Sequence, residues 1–348
     1  MVASNDPLDL HSTHPNDKRE VVVLDKVVLI STGGTISSVM DDNGRYSAHF
    51  GVQDLVTNIK LTHPFTLETI EFCKILSFGM TPDLVFNLTK EIARQLTRPD
   101  VRGVVVTHGT ATIEESAYLL SILLKSEKPV VFTGSMLPFS ERDSDAIRNI
   151  TNSILVCLSP EAQGMGVMIC LGSEIHSARD GVKFHRSSLV PFRSPGWGLL
   201  GVVDLEKVIF ARRPLRQTFI PADRIEQNVD LIKVVSGMDG RFIRSSMEAG
   251  AKGIVIEGLP GRGSITPGML DDLKNCLAKG AVVVLSSRSS QGRVAATTTS
   301  GGVGSADLAS IGVILGGDLS PAKLRLLLMV ALANLKGIDN LKELIQAS

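Results

Sequence analysis

The sequence predicts an α/β protein of two domains, a large N-terminal domain with a mostly parallel sheet and a smaller C-terminal α/β domain. Short runs of Val, Ile and Leu alternate with helix-like segments, which is typical of strands that are buried on both faces. The chain of 348 residues is 43% hydrophobic but only 4% aromatic, and it contains 32 glycines. Such a chain is long and apolar enough to bury two ordinary cores.

The predicted organisation has four parts. Residues 1–24 are polar and lack an apolar stretch of signal-peptide length, so we expect a flexible tail and a cytoplasmic location. A large N-terminal α/β domain follows over 25–212, a linker over 213–228, and a smaller C-terminal α/β domain over 229–348. Every strong apolar run is of strand length, so no membrane span is expected.

Individual elements follow from the hydrophobic periodicity. Apolar residues recur at helical spacing over 83–96 and 114–125, and a third helix is predicted over 321–335. In the smaller domain, the runs 254–256 and 281–285 predict strands. The first domain is expected to use the same alternation of strands and helices.

Composition excludes several classes of function. The formal net charge is zero, which argues against a general nucleic-acid surface. The cysteines lack C-x-x-C spacing and predict neither a disulfide framework nor a zinc site; they are Cys73, Cys157, Cys170 and Cys276. The histidines show no H-x-H or H-E-x-x-H spacing, so no metal or other cofactor is expected.

Two Gly-containing turns carry the strongest chemical signal. Residues 27–36 and 104–115 each join an apolar, β-branched run to a turn that holds a threonine, Thr35 in one and Thr110 in the other. Because ligands bind at the carboxyl ends of parallel strands, the two hydroxyls predict a threonine nucleophile or a ligand clamp. For either turn alone, the alternative is a threonine that caps the next helix.

Taken together, the turns T-G-G-T-I at 32–36 and H-G-T-A-T at 108–112 resemble the bacterial-type L-asparaginase/glutaminase family. Further segments match the family pattern in order and span both of its domains: 128–136, 177–183, 250–258 and 316–323. The resemblance implies the two-domain asparaginase-like fold and hydrolysis of a carbon–nitrogen bond.

The same resemblance implies the site residues. The catalytic set carried over from the family motifs is Thr35, Thr110, Lys183 and Tyr46. The substrate-binding set is Gly34, Ser77, Phe78, Gly109 and Ala111. Thr35 is the favourite for acylation, whereas Thr110, expected beside the base Lys183, is the better candidate for activating the water of the second step. His108 is expected to make a structural hydrogen bond.

Three departures from the family pattern bear on the substrate. The family has an aspartate where Ala111 stands and a glutamine where Phe78 stands. It also uses a glutamate from the C-terminal domain of a neighbouring subunit, whereas residues 288–317 of this chain contain no Glu. In the family these groups hold the α-ammonium of the substrate. A buried ammonium without an acceptor costs several kcal/mol. The predicted substrate is therefore a small amide, lactam or imide that lacks a free α-amino group.

Two alternatives remain at this level. One is an L-asparaginase or glutaminase in which the aspartate has been replaced by alanine at position 111. The other is an inactive small-ligand sensor on the same fold, although binding alone does not need the base Lys183. The resemblance also implies a homodimer or homotetramer, so the expected partners are the amide substrate and further copies of the chain.

Overall fold

The computed structural model describes residues 24–57, 59–62, 64–299 and 301–348. Except for its last residue, the tail predicted over 1–24 lies outside this range. Within the described residues the chain forms sixteen strands and nine α-helices. The strands are β1 (Lys26–Gly33), β2 (Ser38–Met40), β3 (Tyr46–Ala48), β4 (Thr66–Ile75), β5 (Val101–Thr107), β6 (Val130–Thr133), β7 (Val167–Leu171), β8 (Glu174–Ser177), β9 (Val182–Lys183), β10 (Phe192–Arg193), β11 (Gly201–Asp204), β12 (Lys207–Phe210), β13 (Val229–Lys233), β14 (Gly253–Gly258), β15 (Val282–Ser287) and β16 (Ile314–Leu315). The helices are α1 (Val52–Val56), α2 (Pro82–Leu96), α3 (Ile113–Leu123), α4 (Ala146–Leu158), α5 (Arg241–Glu248), α6 (Leu270–Ala278), α7 (Ser305–Ser310), α8 (Pro321–Asn334) and α9 (Ile338–Ala347).

Two sheets confirm the predicted α/β architecture. The larger has eight strands in the order β12-β11-β8-β7-β6-β5-β1-β4. The neighbouring strands β4, β1, β5, β6 and β7 are parallel to one another. Strands β8, β11 and β12 add antiparallel pairs beyond β7. The smaller sheet has the order β13-β14-β15-β16 and is parallel throughout. The first sheet ends at Phe210 and the second begins at Val229.

The central strands are buried on both faces, which explains their continuous apolar sequence. Along β1, Val27 and Leu29 pack in one core together with α4, whereas Val28 and Ile30 pack in another together with α2 and α3. All four side chains are completely buried. Burial of each such side chain stabilises the fold by about 1.5–3 kcal/mol, so the central strands are firmly held.

Helix α2 begins one residue before its predicted start. Pro82 occupies the first helical turn, and the hydroxyl of Thr81 accepts a hydrogen bond from the amide of Leu84 at 3.3 Å. A proline is favourable there because its missing N–H would have no partner within the helix.

Two other helices end before their predicted ends. Helix α3 stops at Leu123 rather than at residue 125, because Leu124 has extended backbone dihedrals. Helix α8 stops at Asn334 because Leu335 is extended as well. The apolar pattern continued through both positions, so periodicity overestimated the lengths.

The two domains share a core between α3 and α8. Tyr118, Leu119 and Ile122 of α3 lie in one apolar cluster with Leu324 and Leu327 of α8. The smaller domain is thus packed directly against the helix that follows the second threonine turn. Among the described residues, no helix has the length and apolarity required to cross a membrane.

Candidate active site

The two threonine turns open at the same edge of the large sheet. Strands β1 and β5 are neighbouring and parallel, with Ser31 level with Thr107. At the end of β1 the chain bends through Gly33 and Gly34, whose φ angles are 99° and 88°. These are left-handed values that side chains with a Cβ rarely adopt. The amide of Gly34 donates to the carbonyl of Ile75 at 2.8 Å, which fixes the bend against β4.

Main-chain atoms of the two turns are in direct contact. A Cβ added to Gly34 would lie 2.5 Å from the Cα of Gly109, and one added to Gly109 would lie 2.6 Å from the side chain of Ser77. Thr112 fixes the segment that contains Ser77 against the second turn, because its hydroxyl donates to the carbonyl of Ser77 at 2.9 Å. The structure therefore brings together three of the predicted substrate-binding residues, namely Gly34, Ser77 and Gly109.

Thr35 begins a single 3-10 turn, Thr35–Ser37, and its side chain is half-buried. The hydroxyls of Ser37 and Ser38 donate to the carbonyl of Gly34 at 3.1 and 2.8 Å. These bonds hold the peptide that precedes Thr35 in one orientation. The hydroxyl of Thr35 therefore lies on a rigid turn, and a fixed position is what a nucleophile requires.

Thr110 and Lys183 form the most informative contact of the site. The Nζ of Lys183 lies 2.8 Å from the Oγ1 of Thr110, although the two residues are 73 positions apart in the chain. Thr110 is buried, with 6% of its surface exposed. Lys183 ends β9, and its backbone amide donates to Oε2 of Glu114 at 2.5 Å. A hydroxyl and an amine at this distance can exchange a proton.

Burial tunes the amine of Lys183. Desolvation lowers the pKa of Lys183 from its ordinary value, and the charge of Glu114 acts in the opposite direction. A larger fraction of the amine is therefore neutral at a given pH than for an exposed lysine, and only the neutral amine can accept the threonine proton.

The remaining predicted residues are exposed in the single protomer. Phe78 is 82% exposed, and Ala111 also faces solvent, although Ala111 lies in the second threonine turn and Phe78 follows Ser77, which contacts that turn. Tyr46 lies on β3, which pairs with β2 just after Thr35, and it is 49% exposed. Tyr46 is therefore close to Thr35 along the sequence, but its side chain is not buried against the Thr35 turn.

His108 is completely buried beside Thr110. Its Nδ1 lies 2.9 Å from the carbonyl of Gly109, and its backbone amide donates to the carbonyl of Thr133 at 2.8 Å. A carbonyl only accepts, so Nδ1 carries the proton. Burial lowers the pKa of His108 to about 4, and the ring is therefore neutral at physiological pH. Its role is to fix the turn that carries Thr110.

Two buried or partly buried charges were missed at the sequence level. Glu114 lies in the first turn of α3, and no spacing rule in the sequence points from it to the amide of Lys183. Lys323 is 1% exposed in the first turn of α8, whose other residues are apolar except Arg325 and Asn334. A lysine at the start of an apolar helix is ordinarily exposed, so its burial could not be predicted from the pattern.

Comparison with known proteins agrees with this geometry. The family model for the asparaginase N-terminal domain matches residues 26–216, and the model for the glutaminase/asparaginase C-terminal domain matches residues 228–345. An L-asparaginase of Bacillus licheniformis is 35% identical over 89% of this chain and 96% of its own length. A probable periplasmic L-asparaginase of Haemophilus influenzae is 32% identical over 90% of both chains.

A solved structure has the same fold. The probable cytoplasmic L-asparaginase from Campylobacter jejuni superposes with a TM-score of 0.82 at 31% identity, covering 93% of this chain and 100% of the other. Fold and site define an amidohydrolase, an enzyme that acts on carbon–nitrogen bonds other than peptide bonds. The chain belongs to the asparaginase family. Because these relatives are described for different compartments, the cytoplasmic location stays a prediction.

Proposed function

We propose that this enzyme hydrolyses a small amide, lactam or imide that lacks a free α-amino group, through a threonine hydroxyl. The observation that carries the proposal is the pair of Thr110 and Lys183, 2.8 Å apart, with the methyl group of Ala111 next to it in the chain. The pair retains the means of moving a proton. The adjacent position offers a substrate ammonium no acceptor beyond the main chain.

The proposed chemistry has two steps. A threonine Oγ bonds to the carbonyl carbon while a base takes its proton; the carbon–nitrogen bond then breaks and the nitrogen leaves with a proton. Water next attacks the ester, releasing the acid and restoring the hydroxyl. Thr35 suits the first step because of its rigid turn, and Thr110 with Lys183 suits the second. Backbone amides of the glycine turns would stabilise the oxyanion.

Loss of the ammonium acceptors supports the choice of substrate. Phe78 and Ala111 stand at the two positions where the family has a glutamine and an aspartate. Neither side chain contains an oxygen that could accept a hydrogen bond. An α-ammonium enclosed beside them would lose its water without replacement, which opposes binding. A substrate with hydrogen in place of the α-amino group avoids this cost.

A substrate panel tests the proposal. Succinamate or a cyclic amide is expected to be turned over at least ~10-fold better than L-asparagine, the factor that corresponds to ~1.4 kcal/mol of lost ammonium stabilisation. Ammonia release measures the linear amides, and loss of substrate by mass spectrometry measures the cyclic ones. Efficient asparagine hydrolysis by the unmodified chain would contradict the proposal.

The second candidate is an L-asparaginase or glutaminase carrying alanine at position 111, and it is favoured by the names of the relatives. The variant Ala111→Asp separates the two. A large gain in asparagine hydrolysis supports the second candidate. Little gain supports the first, because Phe78 still occupies the glutamine position.

We also infer that the active protein is a homo-oligomer. Phe78, Phe184 and Tyr46 leave 82%, 67% and 49% of their surfaces exposed in the protomer. A second copy that covered them would bury apolar surface and exclude water from the threonine turns. The loop with Arg288 and Arg293 would then reach the other copy's site, where an arginine can bind a substrate carboxylate.

Light scattering at micromolar concentration is expected to show a symmetric dimer or a dimer of dimers, with more than ~1,000 Å² buried at an interface. A fully active monomer would refute the shared site. If the protein is a dimer but Arg288→Ala and Arg293→Ala both keep the KM of the unmodified enzyme, only the role of the arginines is discarded.

A further inference from the structure

Lys323 is an unusual residue in the first turn of α8. Its side chain is 1% exposed, and its Nζ donates to two main-chain carbonyls, those of Arg179 and Gly181, at 2.8 Å each. The Nζ also lies 5.8 Å from the centre of the Tyr118 ring. A buried cation is costly, and the N-terminal end of a helix disfavours positive charge. Specific contacts are needed to offset both effects.

The two carbonyls belong to the segment that leads to Lys183. Arg179 and Gly181 precede Lys183 by four and two residues, and β9 begins only at Val182. Lys323 holds two carbonyls of this segment, and Glu114 holds the amide of Lys183 itself at 2.5 Å. The backbone that carries the Lys183 amine is thus fixed at three points by side chains from two helices, α3 and α8.

We propose that Lys323 is a positioning residue, which holds the segment 179–183 so that the Nζ of Lys183 stays within hydrogen-bond distance of Thr110. This inference rests on the proposed function, since it assigns Lys183 as the base. Lys323 belongs to the smaller domain and Thr110 to the larger one. The contact therefore makes the geometry of the base depend on how the two domains are packed.

The charges around Lys323 are consistent with this role. Desolvation lowers the pKa of Lys323 to about 8, while Glu114, Asp180 and Glu115 favour its charged form and Arg179 opposes it. The neutral amine still has two N–H donors, one for each carbonyl. Both hydrogen bonds can therefore persist when the charge is lost.

Lys128 offers a matched control. Its Nζ also donates to two carbonyls, those of Leu96 and Arg98, at 3.0 and 2.5 Å, and desolvation also lowers its pKa. These carbonyls lie at the end of α2 and just beyond it. Lys128→Met removes the same kind of contact as Lys323→Met, but away from the threonine turns.

The test compares Lys323→Met with Lys128→Met. We expect Lys323→Met to lower kcat by ~10-fold or more while KM changes less than ~3-fold, because a displaced base slows the reaction without touching the substrate. Amide hydrogen exchange should become faster in the peptide that covers 179–184. Lys128→Met should leave kcat unchanged and speed exchange only near residues 96–100. Lys323→Arg, which keeps the donors, should recover part of the protection and of kcat.

Hydrogen exchange separates this inference from the proposed function. If the unmodified enzyme hydrolyses none of the amides, the proposed function fails, and exchange in 179–184 still decides whether Lys323 holds the segment. Unchanged exchange there in folded Lys323→Met would overturn the inference, as would equal losses of kcat in the two methionine variants. If Lys323→Met does not fold, Lys323→Arg decides: faster exchange confined to 179–184 supports the inference, and faster exchange throughout the protein overturns it.

Discussion

Lys183→Ala is expected to lower kcat by roughly 10² or more while the protein stays folded, and Thr35→Ala and Thr110→Ala should have effects of the same size. Nucleophile and base act as one unit, so removal of either disables the proton transfer that both serve. For the same reason, the double variant of Thr110 and Lys183 should be little worse than either single one. Steady-state kinetics on the best amide of the panel measure these changes, and circular dichroism checks the fold.

A control and a pH profile sharpen this test. Lys233→Ala removes a lysine that is ion-paired with Glu257 and 60% exposed, and it should leave kcat unchanged. In the unmodified enzyme, kcat should rise with pH as the ammonium of Lys183 loses its proton, with an apparent pKa below the ordinary 10.5. Ala111→Asp should move this rise in kcat to higher pH, because a carboxylate favours the charged form of the Lys183 amine. Near-normal turnover in Lys183→Ala would remove the base assignment and favour a water-mediated route through Tyr46.

Gly34→Ala is expected to have the second large effect, a loss of ~10²-fold in kcat, because the new Cβ would lie 2.5 Å from the Cα of Gly109. The turns must separate to accept it, and a displacement of about 1 Å at a catalytic group can cost that much. Kinetics measure the activity, and thermal unfolding measures the stability.

Gly250 provides the matched control for this glycine. Its φ angle is also 88°, but a Cβ added there meets nothing within 4 Å. Gly250→Ala also places a Cβ on a residue of positive φ, but without the collision, and should lower stability by about 1 kcal/mol while kcat is unchanged. Equal activity in the two alanine variants would show that contact between the turns does not matter for catalysis.

Much of the fold could be predicted because it depends on local sequence. Strand β1 is apolar at every position from Val27 to Ile30, since it is buried on both faces, and such a run leaves few other assignments. Helix ends were predicted less well. The end of α3 depends on the extended conformation of Leu124, and an apolar residue carries no signal for that choice.

The candidate site was only partly accessible to sequence reasoning. The glycines and threonines were found because turns that bend sharply need particular residues. The pairing of Thr110 with Lys183 came from family resemblance, because no spacing rule joins residues 73 positions apart. Lys323 could not be found, since its two acceptors are main-chain carbonyls, which every residue has and which leave no trace in a sequence.

The contact between the glycine turns also bears on how such an enzyme can evolve. Gly34 and Gly109 meet through main-chain atoms, so nearly every substitution there harms the catalyst whatever its substrate. Ala111, in the second of these turns, and Phe78, beside it, are exposed in the protomer, so they can vary at little cost in stability. New substrate preferences can therefore arise by a few tolerated mutations at the rim, while the reaction chemistry is inherited unchanged.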